Sequence, residues 1–246
     1  MNIPSYTLLI LNLLLLNVFL LILYRKRIDW KKFLAVNSFC TPFGTLQLWG
    51  LQTLGNVPAW YFLPGTTLNI QVIGKVDIED IVFIPVCTSL FYFFSFLMKR
   101  VPDIMKNNYI LHGSFVGIII SLVAYTIMTS GIGTLWLILG FGILPFMMFL
   151  HIVSKFRIDL NYTHIYLTFL FVCVFGIGWE IVDKFILFMW KYDPNCNLLS
   201  KIGFFYKNLF HTAITIAYSI VGWVVFYSSE TIFSFLVDRR RSPKLN

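Results

Sequence analysis

Residues 6–24 read YTLLILNLLLLNVFLLILY, an unbroken run without a charged side chain, closed by Arg25, Lys26 and Arg27. An α-helix of about 20 such residues crosses the roughly 30 Å hydrocarbon core of a bilayer. A secretory signal would account for one stretch of this kind. Here no small-residue cleavage site follows it, and comparable runs recur to the C-terminus, so the segment is expected to stay as a helix.

Working outward, further apolar runs lie near 33–55, 78–98, 109–129, 134–153, 164–186 and 208–236, which makes seven expected spans. Composition agrees: 58% of the chain is hydrophobic, 12% is charged and 26 residues are Phe, whereas a soluble domain is roughly half apolar and a quarter charged. The expected fold is an all-α integral membrane protein forming a single membrane domain over 1–246.

Alternating the loops places fourteen basic residues on one side (Arg25, Lys26, Arg27, Lys31, Lys32, Lys99, Arg100, Lys106, Lys155, Arg157, Arg239, Arg240, Arg241 and Lys244). Five fall on the other: Lys75, Lys184, Lys191, Lys201 and Lys207. Cytoplasmic loops carry the excess of Lys and Arg, so the N-terminus is expected outside and the C-terminus inside. The net charge of +8 then reflects topology and contact with anionic lipid rather than nucleic-acid binding. Cys40, Cys87, Cys173 and Cys196 show neither a disulfide framework nor zinc spacing and are expected as free thiols.

The chain also repeats itself. Trp49, Trp60, Phe62 and Pro64 recur as Trp179, Trp190, Tyr192 and Pro194, each 130 residues further on. That offset spans four helices, an even number. Two halves, about 1–107 and 108–246, are therefore expected in the same membrane orientation, related by an axis along the membrane normal.

Charged groups inside spans are costly and mark function by default. Glu79 and Asp80 open the third run (VDIEDIVF), Glu180 and Asp183 sit late in the sixth (GWEIVDKF), and His211 opens the seventh. Acids at a helix start also cap free N–H groups, an alternative reading for Asp77 and Asp80. Glu180 follows FLFVCVFGIGW and is harder to explain that way. Glu180, Asp183 and His211 have suitable side chains for a metal, but no compact ligand motif supports one. His112, His151 and His164 read as interface residues near cytoplasmic helix ends, and Glu230 as facing headgroups. Gly140, Gly142 and Pro145 read as close helix packing or a kink. No Walker, Rossmann, GxSxG or HExxH pattern occurs.

The order Trp49, Trp60, Phe62, Pro64, Gly74, Ile78-Glu79-Asp80 and Phe83 resembles the lycopene cyclase domain family, small membrane carotenoid cyclases built from two halves. Trp179-Glu180, Trp190, Tyr192 and Pro194 repeat its first part, and the likeness covers about 49–95 and 179–225. Three positions depart from the family pattern. Asp77 replaces a Pro before the acid pair, Gly50 follows Trp49 where an acid is usual, and the second copy lacks the paired acids.

The resemblance implies an isomerase that needs no metal or cofactor and closes rings in a lipophilic polyene or terpenoid without net redox change. A carboxylic acid in a water-poor pocket protonates an alkene, and aromatic faces steady the passing cation. Glu79 or Asp80 would donate the proton, and Glu180 or Asp183 would hold the donor or take the proton back. Trp49, Trp60, Phe83, Trp179, Trp190 and His211 would bind substrate. The partners implied are the substrate and the lipid bilayer of a prokaryotic cell membrane, with no nucleic acid; assembly of identical copies stays open. Alternatives are a cyclase or hydratase of another terpenoid, or a non-catalytic transporter or carotenoid-binding protein. A retinal photoreceptor is disfavoured, because 208–237 contains no lysine for a Schiff base.

Overall fold

The computed structural model describes residues 3–54, 56–58, 60–121, 124, 142–193 and 212–241. Among them the chain forms helices α1 (Ser5–Tyr24), α2 (Trp30–Thr53), α3 (Ile78–Met98), α4 (Tyr109–Ser121), α5 (Ile143–Phe156), α6 (Tyr162–Ile181) and α7 (Thr212–Arg241). Among the described residues four segments are long and apolar enough to cross a membrane: Ser5–Tyr24, Ile78–Met98, Tyr162–Leu187 and Ser219–Asp238. The expected runs at 6–24, 78–98 and 164–186 coincide with the first three within a few residues, whereas the run at 208–236 overlaps the fourth from Ser219 on and begins outside the described residues. The run at 33–55 is a helix of 24 residues, but Lys31, Lys32, Asn37, Gln47 and Gln52 make it more polar. Only part of the runs at 109–129 and 134–153 falls within the described residues, as α4 and α5; the expected turn at 129–133 lies outside them.

Helix boundaries follow local chemistry. Asp29 caps α2, its Oδ1 accepting from Lys31 N at 3.2 Å and Lys32 N at 3.4 Å. Asn161 caps α6 by accepting from His164 N at 2.8 Å. Pro42 lies inside α2 and Pro85 inside α3, where each removes one backbone donor.

Helices α2, α3, α6 and α7 form a ring in which α2 packs on α3 and α7, and α6 packs on α3 and α7. Outside it α1 leans on α3, and α5 on α7. Apolar faces gain little by leaving lipid for protein, so close approach and buried polar bonds carry the association. Gly44 of α2 supplies close approach, since a Cβ there would lie 2.8 Å from Ile84 Cγ2 of α3. Asn17 supplies a polar tie, its Nδ2 donating to Val86 O of α3 at 3.2 Å.

At one end of the ring the loops cross. β1 (Trp60–Phe62) pairs antiparallel with β4 (Trp190–Tyr192), Trp60 opposite Tyr192, Tyr61 opposite Lys191 and Phe62 opposite Trp190. β2 (Gln71–Ile73) and β3 (Val76–Asp77) make a separate hairpin. Its Gly74 has φ +61°, and a Cβ there would meet Thr53 Oγ1 at 2.9 Å, so two reasons favour glycine. Two buried clusters fill the interior. One, under the β1–β4 ribbon, is built on Tyr6, Leu51, Trp60, Met189 and Trp190; the other gathers Phe33, Val36, Phe93, Val221 and Phe226 further along the bundle.

Candidate functional site: an acid and aromatic cavity beneath the ribbon

Helix α6 does not end as an ordinary helix. Its last turn widens into a π-helical stretch, Val182–Leu187, followed by Phe188 in the left-handed region at φ +48°. Asp183 holds this turn. It is fully buried, and its Oδ1 accepts from Met189 N at 2.6 Å and Trp190 N at 3.0 Å, which aims the chain into β4. Single π turns of this kind recur at functional sites because they rotate the side chains around them.

Beneath the ribbon lies a cavity of about 250 Å³ whose walls come from α1, α2, α3, α6, α7 and both ribbon strands. Two carboxylic acids line it, Asp80 from α3 and Glu180 from α6, exposed by only 6% and 3%. The Tyr6 hydroxyl donates to Asp80 Oδ1 at 2.9 Å. Asp80 Oδ2 is buried without a hydrogen bond of normal geometry to any described residue.

Aromatic rings enclose the acids. Phe83 packs on Trp179 with centroids 4.4 Å apart, Trp179 stacks on Trp190 at 6.3 Å, and Tyr6 meets the edge of Trp190 at 5.8 Å and the face of Phe62 at 4.9 Å. With Trp60 these rings supply several π faces around two acids.

Glu79, Asp183 and Trp49 lie off the cavity wall. Glu79 is buried next to the cavity but not on its wall. Its Oε1 accepts from Thr7 Oγ1 at 2.6 Å and Leu68 N at 2.7 Å, so it ties the β1–β2 loop to α1. Adjacent residues on a helix point about 100° apart, which separates Glu79 from Asp80. Asp183 anchors β4, and Trp49 packs beside Gly74 under the hairpin. His211, Pro194 and Cys196 lie outside the described residues. Just before α3, burial and then the charge of Glu79 raise the Asp77 carboxyl above the usual range; its side chain makes no cap bond to α3. Among the described residues no group of three His, Cys, Asp or Glu side chains gathers as for a metal ion.

Sequence reasoning missed Tyr6, an isolated tyrosine in a leucine-rich helix, and Gln47, one of several polar residues on α2. It also misplaced His164 and Glu230, which are buried rather than facing an interface or headgroups, exposed by 4% and 3%. Ser95 Oγ donates to Glu230 Oε2 at 2.8 Å and lies 2.9 Å from His164 Nε2, while Glu230 also pairs with Lys99. This network ties α3, α6 and α7 together at the end away from the ribbon. Glu230→Ala is expected to destabilise the fold by about 2 kcal/mol, chiefly through the lost bond from buried Ser95. Half-exposed Lys99 adds little. Thermal unfolding in detergent checks this, and an unchanged midpoint would show that the network carries no stability.

Fold and site together define a helical membrane protein with an acid-bearing aromatic cavity. Compared with protein-family profiles, curated proteins and solved structures, the chain matches none.

Proposed function

We propose that the chain is a membrane-embedded carotenoid-type cyclase that closes a ring in an acyclic polyene end group by protonation, without redox change. The observation that carries this reading is the pairing of Asp80 and Glu180 on one cavity otherwise lined largely by aromatic and aliphatic side chains. Asp80 acts as the acid. With Tyr6 donating to Oδ1, Oδ2 carries the proton and delivers it to the less substituted carbon of the terminal alkene. The C–H bond forms as the alkene π pair leaves for it, and the resulting tertiary cation is attacked by a neighbouring double bond to close the ring. A ring C–H proton then passes to the Glu180 carboxylate, its electron pair forming the new double bond, so atoms and electrons balance. Trp60, Phe83, Trp179 and Trp190 offer π faces to the cation, an attraction that grows where water is excluded.

The reading includes a duplicated architecture crossing the membrane seven times, N-terminus outside, in a prokaryotic cell membrane. Two facts support the duplication. The central ribbon pair, Tyr61 and Lys191, is separated by 191 − 61 = 130 residues, the repeat offset, so corresponding residues meet about a local two-fold axis. The neighbours also correspond, α1 on α3 like α5 on α7, and α2 on α3 like α6 on α7.

Expression in a host that accumulates lycopene tests the activity. Cyclic pigment is the expected product. Unchanged acyclic pigment co-purifying with the protein would replace the cyclase by a carotenoid binder, and no pigment effect at all would remove both.

A further inference from the structure

The cavity does not end at the acids. A second hollow of about 80 Å³ continues from it between α2, α3 and α7, and the two share Gly44, Gln47, Ile84, Thr88, Phe91 and Gly222 on their walls. The inner hollow reaches Cys40, Val225 and Phe226. Together they make one slot that runs inward from the acids, on the side a chain trailing behind a reacting end group would take.

One feature of this slot does not suit a hydrocarbon. Gln47 lines both hollows and is only 8% exposed, yet its amide Nε2 has no hydrogen-bond partner among the described residues. An unsatisfied buried donor is costly, so a group of this kind is retained where something else meets it. The surrounding walls are mostly apolar.

Resting on the cyclase reading of the same cavity, we infer that the slot takes an oxygenated isoprenoid whose carbonyl, hydroxyl or ether oxygen accepts from Gln47 Nε2. Because Gln47 stands where the two hollows join, while Asp80 and Glu180 line only the outer one, the oxygen lies along the trailing chain and not on the end group that reacts. Gln47 is thus a specificity residue, touching substrate away from the chemistry.

Trp60, Trp179 and Trp190 line the outer cavity, so quenching of tryptophan fluorescence reports binding without turnover. The full chain in detergent is titrated with an acyclic C20 isoprenoid polyene ketone and with the polyene hydrocarbon of the same length. The ketone is expected to bind roughly 3- to 10-fold tighter, the range of one neutral hydrogen bond. Gln47→Leu should abolish that preference while keeping hydrocarbon affinity. Gly222→Leu should weaken both ligands alike, because a side chain there enters open space on the slot wall.

Equal affinity for both ligands in the native chain, with both weakened by Gly222→Leu, would overturn the oxygen assignment and leave the slot and the cyclase reading standing. A ketone preference that survives Gln47→Leu would also overturn it. A Gln47-dependent preference in a protein that forms a cyclic product from neither the hydrocarbon nor the ketone would keep the assignment and sink the cyclase.

Discussion

Asp80→Asn and Glu180→Gln are each expected to lower the proposed ring closure roughly 10²- to 10⁴-fold, the usual contribution of a positioned acid or base. Both changes preserve side-chain shape and remove the exchangeable proton or its acceptor. In Asp80→Asn the Tyr6 hydroxyl can still donate to the amide oxygen that replaces Oδ1, so the fold should hold while the proton is gone. Glu79→Gln serves as the comparison. Glu79 is buried one residue away, but its bonds go to Thr7 and Leu68, outside the cavity. It should retain most of the activity. Assaying cyclisation of a polyene in membranes containing equal amounts of each folded variant decides the matter. Full activity in Asp80→Asn, or a loss in Glu79→Gln as deep as in Asp80→Asn, would unseat Asp80 as the donor.

The second large effect belongs to Asp183 and is expected in stability rather than in chemistry. Its carboxyl receives two backbone N–H groups in a fully buried site, and leaving a buried donor unsatisfied costs about 1–3 kcal/mol. Asp183→Ala should therefore cost on the order of 3 kcal/mol and release β4, which carries Trp190 into the cavity wall. Asp183→Asn keeps an acceptor at Oδ1 and should lose markedly less. Unfolding midpoints of the three proteins in one detergent give the order native, Asn, Ala. If Asp183→Asn were folded like the native protein and yet inactive, the residue would belong to the chemistry and its anchoring role would be secondary.

These contrasts bear on what could be read in advance. Four acids stood out in the sequence because charge inside an apolar run is rare, and that signal is strong. It could not sort them. Glu180 and Asp183 are three residues apart and share a helical face in an ideal α-helix. The chain instead widens into a π turn at Val182, and Asp183 closes it. Nothing in GWEIVDKF announces that turn. The tryptophan repeat was legible, and Trp60, Trp179 and Trp190 meet around the cavity, yet Trp49, at the same repeat position as Trp179, packs under the hairpin. His164 and Glu230 look like ordinary end-of-helix residues, and only the approach of α3 to α6 and α7 joins them through Ser95.

The apolar helices that the described residues contain were already legible as apolar runs in the sequence. Matching a run of side chains to a bilayer is a one-dimensional test, satisfied residue by residue along the chain. The tertiary structure alone decided which acids share a cavity. That outcome depends on how each helix is rotated about its axis, where its last turn opens and which loop returns across the bundle. For this reason Asp80 and Glu180 face one another's cavity while Glu79 and Asp183, their near neighbours in sequence, hold the frame around it.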